Sequence, residues 1–412
     1  MKKYSQILNT LKSGYQMGFH VALLVIFTAC QSDSNELEDM IITDETSDNL
    51  DQDEGVSTVD YSLIESVFGD LLSLTSPFNY EAQEIPDYID EDNTNGNVIQ
   101  DEIATLGRVL FYDKNLSVDN TVSCASCHRQ EVAFGDDSPL SEGVNGETGR
   151  HSMRLVNARF AEEERFFWDE RAASLEEQTT MPIQDHVEMG FSGENGDPGI
   201  DDLVEKLESL DYMLELFDYA FGDSAITEAR MQIAMAQFVR SIQSFDSEYD
   251  LGRSQTNDRT DDFPNFTAQE NLGKALFFGR AGCDRCHQGD EFSIDPDSGN
   301  NGVISVANSD ELDLDVTRSP SLRDIFNPAG ELNGSLMHDG SFESMNAVVA
   351  HYNDIDITDN PTIDPRLRGG RQGNGENLNL SQNEMDAIVA FVKTLTGRDI
   401  YTNEKWSDPF IN

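Results

Sequence analysis

Apolar side chains recur at helical intervals through most of this chain. Met231, Met235, Phe238, Ile242 and Phe245 fall on one face of a single helix. A last helix starts at the capping-box pair Ser381 and Glu384, turns Met385, Ile388, Val389, Val392 and Leu395 inward, and stops at Gly397. No run alternates strongly enough to predict a substantial sheet. The pattern therefore predicts a mainly α protein.

One helix signature occurs twice. Leu106-Gly107-Arg108-Val109-Leu110-Phe111-Tyr112 is matched by Leu272-Gly273-Lys274-Ala275-Leu276-Phe277-Phe278. Each copy leads into Cys-x-x-Cys-His, first at Cys124, Cys127 and His128, then, after a shorter connection, at Cys283, Cys286 and His287. The repeat predicts two related domains, 98–252 and 253–412, meeting at the polar run around Pro264.

The N-terminal quarter has a different character. Lys2, Lys3 and Lys12 precede an apolar stretch, Val21 to Ala29, that is too short for a mature membrane span and has the size of a signal-peptide core. Phe27-Thr28-Ala29-Cys30 is similar to the lipobox of bacterial lipoproteins, although Phe27 stands where leucine is usual. The expectation is a signal peptide over 1–29 and a lipid on Cys30 as the only membrane attachment; a plain signal peptide is the alternative. Either route exports the chain to the periplasm or cell envelope. No Lys or Arg follows Cys30 until Arg108, and the acidic, polar composition predicts a disordered tether over 30–97.

Charge narrows the partners. With 27 basic and 78 acidic residues the formal net charge is −51. Such a field repels nucleic acid and anionic membranes and favours basic partners. It is equally what adaptation to salty surroundings would produce. No basic patch exists to support nucleic-acid binding.

Four of the five cysteines lie in the two repeated motifs. An odd number argues against a purely disulfide framework. In Cys-x-x-Cys-His the two thiols add to the two vinyl groups of a haem, and the adjacent histidine becomes the proximal iron ligand. A redox dithiol or a zinc site competes, but the stretch after His128 offers no further zinc ligands. Two covalently bound haem c groups are expected, with His128 and His287 as proximal ligands. A haem is itself an apolar core, so two cytochrome-c-like helical domains fit the pattern. Two haems allow plain electron transfer, or chemistry at one iron fed by the other. Peroxide reduction at an open iron would need an acid–base group beside it, and a carboxylate in an apolar pocket serves well.

Phe166-Phe167-Trp168-Asp169-Glu170-Arg171-Ala172, Ser174-Leu175-Glu176-Glu177-Gln178, Pro182-Ile183 and Val187-Glu188-Met189-Gly190 follow the first motif. With Leu155-Val156-Asn157-Ala158 and Pro320-Ser321-Leu322-Arg323, they closely resemble the bacterial dihaem cytochrome c peroxidases over roughly residues 100 to 400. The resemblance implies that the first haem reacts with hydrogen peroxide and the second relays electrons from a small cytochrome or copper protein. It implies that Glu188 is the acid–base group, that Gln178 lines the same pocket, and that Trp168 lies between the haems. It also implies a calcium ion held by Asn157, with the carbonyls of Thr317 and Pro320 as further ligands. Monomer and homodimer both stay open.

Two departures from that family's main branch stand out. The loop histidine that closes the resting first haem would fall near Val144, in Ser141-Glu142-Gly143-Val144, and is absent; His151 aligns poorly and reads as structural. The expectation is a permanently open first haem. On the far side of the second haem, where the main branch has methionine, the register gives Tyr352. Met345, Val348, Val349 and Tyr352 share one helical face, with His351 about 100° away. Met337 and His351 remain the competing ligands. Tyrosine there is similar to the dihaem enzyme that matures methylamine dehydrogenase. Peroxide reduction is thus the leading expectation. An enzyme oxidising a protein or small molecule through high-valent iron and a non-enzymatic electron carrier are its rivals.

Overall fold

A computed structural model describes residues 61–161, 165–293, 299–306, 309–369 and 375–411. The signal segment, Cys30 and the first part of the tether lie outside these residues. Among the described residues the helices are α1 (Ser62–Phe68), α2 (Asp101–Tyr112), α3 (Cys124–Cys127), α4 (Leu175–Thr180), α5 (Ile200–Glu208), α6 (Asp211–Phe221), α7 (Glu228–Ser241), α8 (Glu248–Arg253), α9 (Ala268–Phe277), α10 (Met345–Asn353) and α11 (Gln382–Lys393). Strand structure in the same residues is one hairpin, β1 (Glu142–Gly143) against β2 (Gly146–Glu147). The chain is mainly α, as its periodicity predicts. None of these helices is long and apolar enough to cross a membrane.

The two helix signatures build the same packing unit twice. In α2, a β-carbon added at Gly107 would strike the carbonyl of Ala234 on α7; in α9, one at Gly273 would strike the carbonyl of Ala387 on α11. Glycine thus lets each helix pair close to backbone contact. One turn further on, Phe111 meets Phe238 and Phe277 meets Phe391, each with ring centroids 5.2 Å apart. All four rings are buried, each worth roughly 1.5–3 kcal/mol.

Three expectations need correction. The tether is too long by more than thirty residues, because 61–97 belongs to the folded body. Ile64 and Phe68 on α1, followed by Leu72, Leu74 and Tyr80, are buried. Phe68 stacks against Phe410 at 5.0 Å and Tyr212 at 5.8 Å. The segment's composition is poor in apolar residues, but those it has dock on distant helices. Helix α7 ends at Ser241, before Ile242 and Phe245, because the chain turns there to give the Ile242 carbonyl to the Asn157 N–H at 2.9 Å. Helix α11 has the expected capping box at Ser381 and Glu384 but ends at Lys393. The Gly397 N–H is bound instead by the buried Asp324 carboxylate, at 2.8 Å.

The C-terminal segment returns to the first half. Ile400 and Trp406 are buried in a cluster with Phe111, Phe134 and Phe238. The carbonyls of Lys405, Trp406 and Ser407 accept bonds from Tyr80, Tyr112 and Arg108 at 2.6, 2.6 and 2.7 Å.

Candidate haem sites and the peroxide cavity

The two Cys-x-x-Cys-His motifs are built alike. The His128 N–H bonds the Cys124 carbonyl at 2.9 Å, and the His287 N–H bonds the Cys283 carbonyl at 3.0 Å. The chain then turns back so that His128 Nδ1 lies 3.2 Å from the Phe134 carbonyl and His287 Nδ1 lies 3.1 Å from the Phe292 carbonyl. Both phenylalanines adopt left-handed backbone, φ 56° and 55°, to present those oxygens. A ring whose Nδ1–H is held by a carbonyl leaves Nε2 as the lone-pair nitrogen for a metal. Burial lowers the pKa of His128 and takes that of His287 down to about 4, which keeps both imidazoles neutral. Burial also pushes the thiols of Cys124 and Cys283 up to about 12 and that of Cys127 to about 11. None of the four is in a disulfide.

Each motif opens into its own cavity. The larger, about 670 Å³, is lined by Cys124, Cys127 and His128 together with Glu188, Gln178 and Trp168. Residues from α3, α4 and the loop after α4 are thus brought to one space. The smaller is lined by Cys283, Cys286, His287, Met337, Met345 and Tyr352. His151, Arg154, Trp168, Arg318 and Pro320 line both.

Glu188 sits in a series of turns after α4. The Asp185 carboxylate holds this loop by accepting the N–H groups of Val187 and Glu188 at 2.8 and 3.0 Å. Burial, reinforced by the Asp185 charge and opposed by Arg171, raises the Glu188 pKa to about 7. The β1–β2 hairpin tip, where the main branch carries its closing histidine, is tied to this same loop. Val144 and Asn145 donate N–H bonds to the carbonyls of Glu188 and Val187 at 3.0 and 3.1 Å. His151 is fixed elsewhere, with Nδ1 3.0 Å from the carbonyls of both Ser138 and Pro139.

The repeat continues further than the sequence reading carried it. Phe166 bridges Ala172 around Trp168, and Leu336 bridges Phe342 around His338. Ser174 and Ser344 then cap α4 and α10 at equal distances from those loops. In this register Trp168 matches His338, and the two rings meet edge-on at 6.2 Å. The Trp168 indole N–H also bonds the His151 carbonyl at 2.6 Å, and the His151 N–H bonds the His338 carbonyl at 2.8 Å. His338 was missed because its motif had been read only for Met337; comparing the two loops would have found it. The same register sets Pro182 in the first half against Tyr352 in the second. Pro182 lines the larger cavity and has no side-chain donor, whereas Tyr352 lines the smaller one.

The competing ligands separate. His351 Nε2 lies 3.0 Å from the Asn301 carbonyl and does not line the smaller cavity. Met337 does line it, with its sulfur accepting the Asn301 side-chain N–H at 3.7 Å. The residues expected to hold calcium are divided between the two cavities. Asn157 is buried, with Oδ1 taking the Ser244 N–H at 2.7 Å and Nδ2 donating to the Ser244 carbonyl and Glu291. It lines the larger cavity, Thr317 lines the smaller, and Pro320 lines both. No cluster of three or more His, Cys, Asp or Glu suited to a metal occurs among the described residues.

Two neutral, carbonyl-oriented histidines, each behind a thiol pair and facing an apolar cavity, define a dihaem c-type cytochrome. The model of the di-haem cytochrome c peroxidase family matches residues 101–258. The chain is 30% identical over 314 residues to the methylamine utilization protein MauG of Methylorubrum extorquens, covering 73% of this chain and 79% of that protein. It is 27% identical over 334 residues to the cytochrome c551 peroxidase of Pseudomonas aeruginosa, covering 76% and 84%. A crystal structure of a MauG-like protein associated with microbial copper homeostasis superposes with TM-score 0.64 at 28% identity, covering 81% and 99%. The chain belongs to the di-haem cytochrome c peroxidase family, and with it come two covalently bound haem c groups.

Proposed function

We propose that the protein reduces hydrogen peroxide to two waters at the first haem, using two protons and two electrons delivered through the second. The observation that carries this reading is Glu188, a half-buried carboxyl with a pKa raised to about 7 in the same cavity as His128. When bound, the haems supply the electrons and an iron with a free position for peroxide. Glu188, as carboxylate, takes a proton from one peroxide oxygen and returns it to the other, and Gln178 shapes the space around them. Pro182, which lines the larger cavity, would offer no ligand to a haem iron held there. The pinned Val144 hairpin brings none either, which makes reductive loop release unnecessary. The experiment that tests this is a steady-state peroxide assay with EPR of the oxidised protein. The expected result is turnover plus one high-spin and one low-spin haem; two low-spin haems and no turnover would show a plain electron carrier.

Trp168 lines both cavities and is the proposed electron stepping stone. W168F should slow electron transfer between the haems, measured by flash reduction, while both haem spectra stay unchanged.

Tyr352 is the proposed far ligand of the second haem. A phenolate favours ferric iron and a thioether favours ferrous. Tyr352→Met should therefore raise the second haem's potential by a sizeable part of the roughly 0.8 V that axial ligands span. An unchanged potential would pass the role to Met337. Tyr352 and the pinned hairpin also favour a second reading, oxidation of a protein or small molecule in place of a cytochrome. Stopped-flow mixing with peroxide decides: an oxidised form that persists and oxidises reduced cytochrome slowly supports the second reading.

The net charge of −51 supports a basic cytochrome or copper protein as donor. One calcium ion is proposed at Asn157, whose Oδ1 keeps a second lone pair, with the Thr317 and Pro320 carbonyls; metal analysis of the purified protein checks it. Export, and anchoring through a lipid on Cys30, complete the proposal.

A further inference from the structure

Arg154 is a half-buried cation with no partner among the described residues. Its Nε is enclosed and unbonded, and the side chain makes no hydrogen bond or ion pair with any described residue. Burial pulls the guanidinium pKa down, with only Asp324 and Tyr401 acting against it from a distance. Asp324 makes no hydrogen bond to the guanidinium, and the Asp324 Oδ2 is itself without a partner among the described residues. Its Oδ1 already accepts the Gly397 N–H and the Tyr401 hydroxyl, at 2.8 and 3.1 Å, and burial raises its pKa to about 6. A buried cation left unpaired is strongly unfavourable. Neighbouring arginines are treated differently: Arg323 is paired with Asp250, and Arg318 donates to the Arg165 carbonyl.

The position of Arg154 says where its anion comes from. The residue lines both haem cavities. Its stem packs on Gly135, where a β-carbon would lie 2.8 Å from Cγ. The next residue, Leu155, donates its N–H to the Phe134 carbonyl, the same oxygen that orients His128, at 3.1 Å. The side chain is therefore placed at the two spaces that the haems would occupy. Every haem carries two propionate carboxylates, and the guanidinium fork matches a carboxylate with two parallel bonds.

We propose that Arg154 binds haem propionate in the wall between the two cavities and is the shared counter-ion that raises the reduction potentials of both haems. The proposal rests on the dihaem reading of the two motifs. A fixed positive charge beside an iron favours the ferrous form, so its loss favours the ferric form.

The test is redox titration of holoprotein carrying R154Q and R154K, with haem counted from the pyridine haemochrome spectrum. R154Q should retain both haems and shift both potentials negative. A change of at least tenfold in each ferric–ferrous equilibrium is expected, which is 59 mV for one electron. R154K, which keeps the charge, should stay near the unsubstituted protein. Unchanged potentials in R154Q, or a shift confined to one haem, would overturn the shared role. If R154Q does not retain haem, R154K must retain both with near-native potentials, and haem loss in R154K as well overturns the proposal. Failure of the dihaem reading would show separately, as fewer than two haems in the unsubstituted protein.

Discussion

E188Q is expected to lower the rate of peroxide reduction by about 10²–10⁴-fold, the usual worth of a positioned acid–base group. Glutamine keeps the size and polarity of the side chain but cannot carry a proton between the two oxygens of peroxide. Haem content should be unchanged, because no hydrogen bond joins Glu188 to either motif. The pH profile gives a second readout. Burial holds the Glu188 pKa at about 7, and the group that accepts the first proton is the carboxylate. The ionised fraction falls about tenfold per pH unit below that value, so kcat/KM should decline on the acid side of pH 7 and level off above it. In E188Q that acid limb should vanish along with most of the rate. A variant that keeps native turnover removes Glu188 from the reaction.

R323M is expected to destabilise the folded protein by about 3–5 kcal/mol, the typical cost of removing one partner from a buried ion pair. Arg323 is 1% exposed. It grips the Asp250 carboxylate with two bonds, at 2.9 and 3.1 Å, and donates a third to the Asp290 carbonyl at 2.8 Å. Glu291 lies 3.3 Å from its Nε, but burial raises the Glu291 pKa to about 8, which leaves the doubly bonded Asp250 as the main counter-charge. Methionine would fill much of the volume and strand the Asp250 charge. The sign of the pH dependence follows. Asp250 in the native fold has a lowered pKa despite its burial, because of Arg323. Its pairing therefore contributes stability above the unfolded-state value of about 3.9, and the contribution is lost as pH falls through the lower folded-state pKa. Denaturant unfolding should show the gap between R323M and the native protein widest near pH 7 and narrowing below pH 4. A gap that does not change with pH would mean that lost packing, not stranded charge, causes the defect.

These two groups were unequally legible beforehand. Glu188 was named from a motif, yet as one acid among 78 it had no visible reason for a raised pKa. Its burial comes from the loop after α4 folding over the first haem motif and from the Val144 hairpin bound to its back. Arg323 stood inside a quoted motif, but its partner Asp250 lies in the first turn of α8, 73 residues earlier in the chain. Composition counts charged residues without showing that they neutralise one another.

Short-range features came directly from residue order. The thiol and histidine spacing of a haem motif is set by covalent reach across one turn, so Cys124, Cys127 and His128 announce it, and Cys283, Cys286 and His287 repeat it. Helical class and the Ser381 cap are likewise decided within a few residues by periodicity and local hydrogen bonds. The tertiary structure decided the rest: the docking of 61–97, the ends of α7 and α11, the meeting of Trp168 with His338, and the unpaired cation at Arg154. Each depends on groups far apart in the chain that compete for the same carbonyl, carboxylate or apolar surface. Such competition is resolved by burial in three dimensions, which no pattern in a contiguous stretch of sequence records.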